Sequence, residues 1–242
     1  MLPRTALRTN ANAHKQTVVY IGTVNTTHFS TAMAAISAGK AVVCEKPVGV
    51  NGAEVAALAA AATAKGVFFM EGMWTRFLPA VAKAREIVAS GKLGKVVAVH
   101  ADFGFRCDDP PESRMFALGL AGGGTLDIGI YPLAFASMAF GGTMPKEVKA
   151  VGTLHNTTKV DTSCGIVMTF EDPAAHAASE AGGDQAGLAV VTYNLRGFTP
   201  EEVVIVGTEA RLVLKGPAHI CTKLVMVKPE GRLGMVREAS FF

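Results

Sequence analysis

The chain has 242 residues, half of them apolar and 18% charged, with a formal net charge of +3. That is ample material for one large core or two small ones, and the basic residues are scattered with no run of five, so no nucleic-acid partner is expected. No stretch approaches the roughly 18 unbroken apolar residues of a membrane span, since the alanine-rich segment 53–64 carries Glu54 and is closed by Lys65, so no membrane partner is expected either.

The four cysteines, Cys44, Cys107, Cys164 and Cys221, form no CxxC pair. Neither a disulfide framework nor a metal site is expected, and a reducing, cytoplasmic compartment fits best. The first sixteen residues hold Arg4, Arg8 and Lys15 and no acid. That pattern also fits a mitochondrial leader, although serine is absent from it.

In chain order, residues 17–22 form a β-branched run ended by Gly22, which predicts a buried strand. Ser30–Ala38 reads as a helix stopped by Gly39, and Ala41–Cys44 as a second strand. Asn51 with Glu54 three residues on marks the start of a helix running to Lys65, with Gly66 behind it. Val67–Met70 is a third strand. Strand–helix–strand–helix–strand implies right-handed crossovers and a parallel sheet. Ligands of such sheets bind beyond the carboxyl ends of the strands. Three polar clusters fall there, Thr23–His28, Glu45–Lys46 and Glu71–Arg76, and are expected to border one crevice.

Pro79–Ser90 reads as a helix, Lys95–Arg106 as a strand, and Gly122–Phe140 as a glycine-led helical stretch. Residues 147–155, 161–170, 186–196, 202–206, 210–215 and 220–227 alternate or are β-rich, with turn signals between them. They predict a mostly antiparallel sheet with its helices on one face. Residues 172–187, rich in Ala, Gly and acids, read as a loop.

Four places carry candidate chemistry. Lys46, in Glu45-Lys46-Pro47, stands where a strand end would reach a ligand; the same tripeptide fits a solvated lysine in a turn. In Gly122–Pro132 a helix would put Asp127 and Tyr131 on one face, spaced i,i+4, as an acid and a phenol for proton transfer. Gly129 between them would leave that surface open to a ligand. A capped helix with a core tyrosine fits equally. Trp74 and Arg76, like Phe105 and Arg106, pair a ring with a guanidinium and suit a phosphate or flat ring, or an aromatic hinge. Thr23, Asn25 and His28 suit a ribose or adenine edge, or the capping of a helix.

Taken in order, five stretches resemble the Gfo/Idh/MocA family of NAD(P)-dependent oxidoreductases: Tyr20–Thr23 with His28, Ala38–Pro47, Met70–Phe77, Gly123–Tyr131 and Val206–Ala210. The resemblance spans about residues 17–228. It implies an α/β chain: a partial Rossmann-type parallel sheet over residues 1–76, then, over 77–242, an α+β substrate and dimerisation domain with a large, mostly antiparallel open sheet. It implies a nicotinamide cofactor, NADP or else NAD, and hydride transfer at the CH–OH group of a sugar such as D-xylose or of a trans-dihydrodiol. It makes Lys46 an active-site lysine touching nicotinamide and substrate, Tyr131 the general acid/base, and Asp127 a contact to substrate hydroxyls. Thr23, Asn25, His28 and Glu45 would line the cofactor, and Trp74, Arg76 and Arg106 would border the nicotinamide and phosphate region. A homodimer through the second sheet is the implied assembly.

The family opens with a strand, a GxGxxG turn and a helix that hold the pyrophosphate. No such turn occurs here, and relatives also continue beyond residue 242 into a further helix. Weak cofactor binding and little activity are therefore expected of this polypeptide. The alternative is a non-catalytic chain serving as a binding or assembly subunit.

Overall fold

The computed structural model describes residues 17–171, 186–230 and 235–240. Most of the loop expected at 172–187, namely 172–185, lies outside them. The chain divides into two compact units, Met1–Met73 with Gly119–Ala121, and Trp74–Leu118 with Gly122–Phe242.

The first unit is built on three parallel strands, β1 (Val18–Ile21), β2 (Ala41–Glu45) and β3 (Phe69–Gly72), in the order β1-β2-β3. Helices α1 (Asn25–Ser37) and α2 (Gly52–Lys65) make the crossovers. Ile21, Val42 and Cys44 from the strands pack with Ala32, Ile36, Leu58 and Ala62 from the helices. Each large apolar side chain so buried contributes about 1.5–3 kcal/mol.

Helix α2 begins and ends as its sequence predicts. Asn51 Oδ1 accepts the Glu54 N–H at 2.9 Å, and the Glu54 carboxylate accepts the Val50 N–H at 3.0 Å. Gly66 takes the left-handed conformation at φ 64°, and the Val67 N–H returns to Ala62 O at 3.1 Å. That return bond keeps Val67 in the helix cap, so β3 starts at Phe69 rather than Val67. Helix α1 begins five residues before the expected Ser30. His28, Ala32, Ala35 and Ile36 form its buried stripe, and the polar letters of 25–28 hide the start of that period.

The second unit holds α3 (Pro79–Ala89), β4 (Val96–Gly104), α4 (Ile130–Ala139), β5 (Glu147–Leu154), β6 (Asp161–Glu171), β7 (Ala186–Asn194), β8 (Val203–Gly207), β9 (Arg211–Leu214), β10 (Leu224–Glu230) and β11 (Met235–Ser240). Its eight-stranded sheet runs β11-β10-β9-β8-β4-β7-β6-β5. Only β4 and β7 pair in parallel; the other neighbours are antiparallel. The register sets Val99, Ala101 and Phe103 of β4 beside Ala189, Val191 and Tyr193 of β7, all six buried. A one-residue slip would turn all of them to the opposite face. Helix α4 packs on this face through Tyr131, Phe135 and Ala136.

The helical stretch expected from Gly122 to Phe140 is not uniform. Thr125–Gly129 form a π-helical turn, and the α-helix begins only at Ile130. Such single wide turns recur at functional sites. Asp127 therefore belongs to the π-turn and Tyr131 to the α-helix, and the i,i+4 rule of a regular helix does not carry across the junction.

Candidate functional site

In the first unit the strand ends are aligned. Ile21 pairs with Cys44, and Glu45 with Gly72, so Gly22, Lys46 and Met73 leave the sheet at one edge. Lys46 is half-buried there. Glu45 receives the hydroxyl of Tyr20 from the neighbouring strand. Thr23 and Thr27 join hydroxyls at 2.8 Å, and Asn25 Nδ2 donates to Ala121 O at 3.2 Å.

His28 is 1% exposed. Its Nδ1 lies 2.7 Å from Pro47 O and its Nε2 2.9 Å from Thr23 O. Both ring nitrogens are thus used to tie the loop after β2 to the loop after β1. Glu71 adds a third tie, accepting the Val48 N–H at 3.0 Å.

A nicotinamide nucleotide has one feature to use on this edge. No side chain caps α1, and its first turn contains no acid. Its leading N–H groups follow β1 directly, and although the Thr27 N–H is taken by Val24 O at 2.9 Å, the helix dipole there favours an anionic or ribose oxygen. Thr23, Asn25 and Lys46 are the residues that would hold it, and the site fits such a group on those grounds.

In the second unit the chemistry gathers around Tyr131, which is 7% exposed. The indole N–H of Trp74 donates to the Tyr131 hydroxyl oxygen at 3.0 Å, and the two rings meet edge-on with centroids 6.1 Å apart. Phe103 meets Tyr131 edge-on at 5.4 Å, and His219 at 5.8 Å. His219 Nδ1 lies 2.9 Å from Glu201 Oε2. Burial pushes the Glu201 carboxyl upward, and the adjacent imidazole opposes that shift.

Asp127 is paired with Arg114 at 2.7 Å, and that carboxylate holds the guanidinium pKa above its ordinary value. Arg106 pairs with Asp108 at 2.8 Å, both more than 60% exposed, so the pair adds little stability. Arg76 is exposed on a 3-10 turn, Trp74–Phe77. A polar cleft of about 590 Å³ is lined by Arg106, Cys107, His155, Asn156 and Arg196 among others.

The openness expected at Gly129 has a different cause. A Cβ there would lie 2.7 Å from the Tyr193 ring, and one at Gly124 2.6 Å from it. The glycines make room for Tyr193, not for a ligand. The Tyr193 hydroxyl donates to Asp161 Oδ2 at 2.6 Å and sits 2.6 Å from Thr125 Oγ1. Asp161 also accepts the Thr125 N–H at 2.6 Å. Desolvation and Asp161 together raise the Tyr193 phenol pKa. This triad pins the π-turn, and sequence reasoning missed it because its members are distant in the chain. His219 and Glu201 were missed for the same reason.

Residues 81–213 match the GFO/IDH/MocA C-terminal domain, and residues 6–73 match the oxidoreductase family with NAD-binding Rossmann fold. The chain belongs to the Gfo/Idh/MocA family. Its relatives include a trans-1,2-dihydrobenzene-1,2-diol dehydrogenase of Bos taurus, 48% identical over 145 residues, which are 60% of this chain and 43% of that protein. The enzyme of the same name from Sus scrofa is 37% identical over 209 residues, 86% of this chain and 58% of that one. This Gfo/Idh/MocA chain thus spans about half the length of those relatives. Among solved structures, the aldose-aldose oxidoreductase of Caulobacter crescentus complexed with glycerol superposes with a TM-score of 0.75 at 26% identity. That match covers 92% of this chain and 62% of the other. Among the described residues, no helix is long and apolar enough to cross a membrane.

Proposed function

We propose that this chain serves a nicotinamide-dependent dehydrogenase that oxidises the CH–OH group of a trans-dihydrodiol or of a sugar such as D-xylose. The observation that carries the reading is the Tyr131 hydroxyl. A phenol in an apolar, aromatic setting accepts an indole N–H at 3.0 Å, and that bond favours the oxygen as it takes on negative charge. As the phenolate, Tyr131 takes the proton of the substrate hydroxyl at Oη and becomes the phenol, and as the phenol it returns that proton in the reverse direction. A positioned group of this kind is worth roughly 10²–10⁴ in rate.

Bound nicotinamide supplies the hydride acceptor. Lys46 is the cation assigned to the cofactor side of the reaction, and Asp127, oriented by Arg114, is assigned to the other hydroxyls of the substrate. Thr23, Asn25 and Glu45 are assigned to the nucleotide, with His28 holding the loops that carry them. Trp74, Arg76 and Arg106 are assigned to its nicotinamide and phosphate region. NADP is the proposed cofactor, with NAD the alternative. The two family matches and the dihydrodiol dehydrogenases among the relatives support this assignment.

We further propose a homodimer through the outer face of the second sheet, where Val151, Val167 and Leu188 are 83%, 42% and 41% exposed. Neighbouring exposed apolar side chains of this kind mark an interaction surface. Four free cysteines suit a reducing, cytoplasmic compartment.

The test is appearance of reduced nicotinamide fluorescence when the chain is given D-xylose or trans-1,2-dihydrobenzene-1,2-diol with NADP⁺, and separately with NAD⁺. Turnover of either substrate supports the reading. Failure with both, under conditions where the nucleotide is shown to bind, contradicts it.

A further inference from the structure

His219 sits where three elements of the second unit converge. Its ring stacks on Phe103 of β4 with centroids 4.3 Å apart and planes 13° from parallel. It meets Trp74 edge-on at 6.2 Å and Tyr131 edge-on at 5.8 Å. Its backbone oxygen accepts the hydroxyl of the buried Thr75 at 2.7 Å. The ring is therefore fixed from both sides.

Glu201, which engages Nδ1, is itself held firmly. Its φ of 52° is left-handed, a conformation that side chains larger than glycine enter only when the surroundings impose it. Asp102 imposes it here, accepting the N–H of Glu201 at 2.8 Å and that of Glu202 at 3.1 Å. The Glu201 carbonyl is bound in turn by the Ala218 N–H at 2.7 Å. A carboxylate placed in this way fixes the imidazole with its proton on Nδ1.

The other ring nitrogen is the informative one. His28 spends both nitrogens on backbone carbonyls, as a purely structural histidine does. Among the described residues no hydrogen bond engages His219 Nε2, and the side chain retains 23% of its exposure. A neutral ring presents a lone pair there and an imidazolium an N–H; a hydroxyl can satisfy either.

We infer that His219, oriented by Glu201, is a substrate-binding residue that takes a second hydroxyl of a vicinal diol while Tyr131 engages the first. The inference rests on the reading of Tyr131 as the acid/base group and names the feature of the substrate the site selects. Trp74, 39% exposed, offers a flat apolar face suited to the carbon ring that bears the two hydroxyls. A site that hydrogen-bonds a hydroxyl discriminates against an analogue lacking it, because its polar group is left unpaired.

Trp74 is the sole tryptophan, so its fluorescence reports on this cluster without any turnover. The chain is titrated with trans-cyclohexane-1,2-diol and with cyclohexanol, which differ by one hydroxyl. The wild type is expected to bind the diol about tenfold more tightly, the worth of one hydrogen bond. His219→Phe, which keeps the stacked ring, is expected to abolish that preference while leaving cyclohexanol affinity unchanged. His219→Gln, which restores a hydrogen-bonding edge, is expected to recover part of it, and Glu201→Gln to weaken it. Circular dichroism confirms that each variant is folded. An undiminished diol preference in His219→Phe, an equal loss of both probes in that variant, or no diol response by wild-type Trp74 overturns the inference. A diol preference that depends on His219 in a chain that binds the nucleotide but shows no turnover keeps the inference and rejects the dehydrogenase reading. Turnover that is indifferent to His219 does the reverse.

Discussion

The indole nitrogen of Trp74 lies 3.0 Å from the hydroxyl oxygen of Tyr131 and donates its proton to it. The donor comes from a 3-10 turn and the acceptor from the first turn of α4. The phenol proton is therefore not spent on the indole, which has no acceptor to offer.

This bond gives the first prediction. Trp74→Phe keeps an aromatic edge against Tyr131 and removes only the N–H. A hydrogen bond to a charged group is worth about 1.5–3 kcal/mol, so kcat/KM for diol oxidation should fall about 10- to 100-fold with the fold intact. Steady-state kinetics of the variant provide the check. An unchanged value removes Trp74 from the chemistry.

A second prediction concerns the π-turn. Because a Cβ at Gly129 would come within 2.7 Å of the Tyr193 ring, Gly129→Ala should destabilise the chain by about 1–3 kcal/mol through overpacking. Tyr193→Ala removes the obstacle along with the bonds to Asp161 and Thr125. In that background Gly129→Ala should cost much less, a non-additivity expected of residues in contact. Denaturant unfolding of the two single variants and the double variant measures it; simple additivity would show that the ring and the glycine are not coupled.

Cys44 supplies a third. Burial in β2, followed by the charges of Glu71 and Glu45, pushes its thiol up to about 12 from an ordinary 9.0. The folded pKa is raised, so the stabilising share of the neutral thiol is complete below 9.0 and is lost as pH rises from there toward about 12. At neutral pH Cys44 should resist alkylation in the native chain and react once denaturant unfolds it. Mass spectrometry after iodoacetamide treatment distinguishes the two; rapid native labelling of Cys44 would contradict its burial.

Much of this architecture is legible in the sequence, for reasons local to the chain. Asn51 and Gly66 bracket α2 because a cap and a left-handed stop act within a few residues. The strands β4 to β9 of the second unit announce themselves by alternation, whereas β10 begins at Leu224 rather than at 220, behind a 3-10 turn, and β11 (Met235–Ser240) is not among the expected strands. The π-turn does not, since nothing local in Thr125–Gly129 records that Tyr193 will press against Gly129 and the preceding Gly124. The start of α1 was hidden because its buried stripe begins with a histidine. Lys46 and Tyr131 could be singled out from motif and order, whereas His219 and Glu201 acquire meaning only when β4, α4 and the 218–220 turn come together.

The most direct test of the central claim is the rate of nicotinamide-linked oxidation of a trans-dihydrodiol or of D-xylose by the wild type and by Tyr131→Phe. That substitution removes one oxygen and keeps the ring against Trp74 and Phe103. With Tyr131 as the acid/base group, kcat is expected to fall by roughly 10²–10⁴, the share of a general acid/base, with substrate and nucleotide affinities little changed. Wild-type turnover by Tyr131→Phe would contradict it.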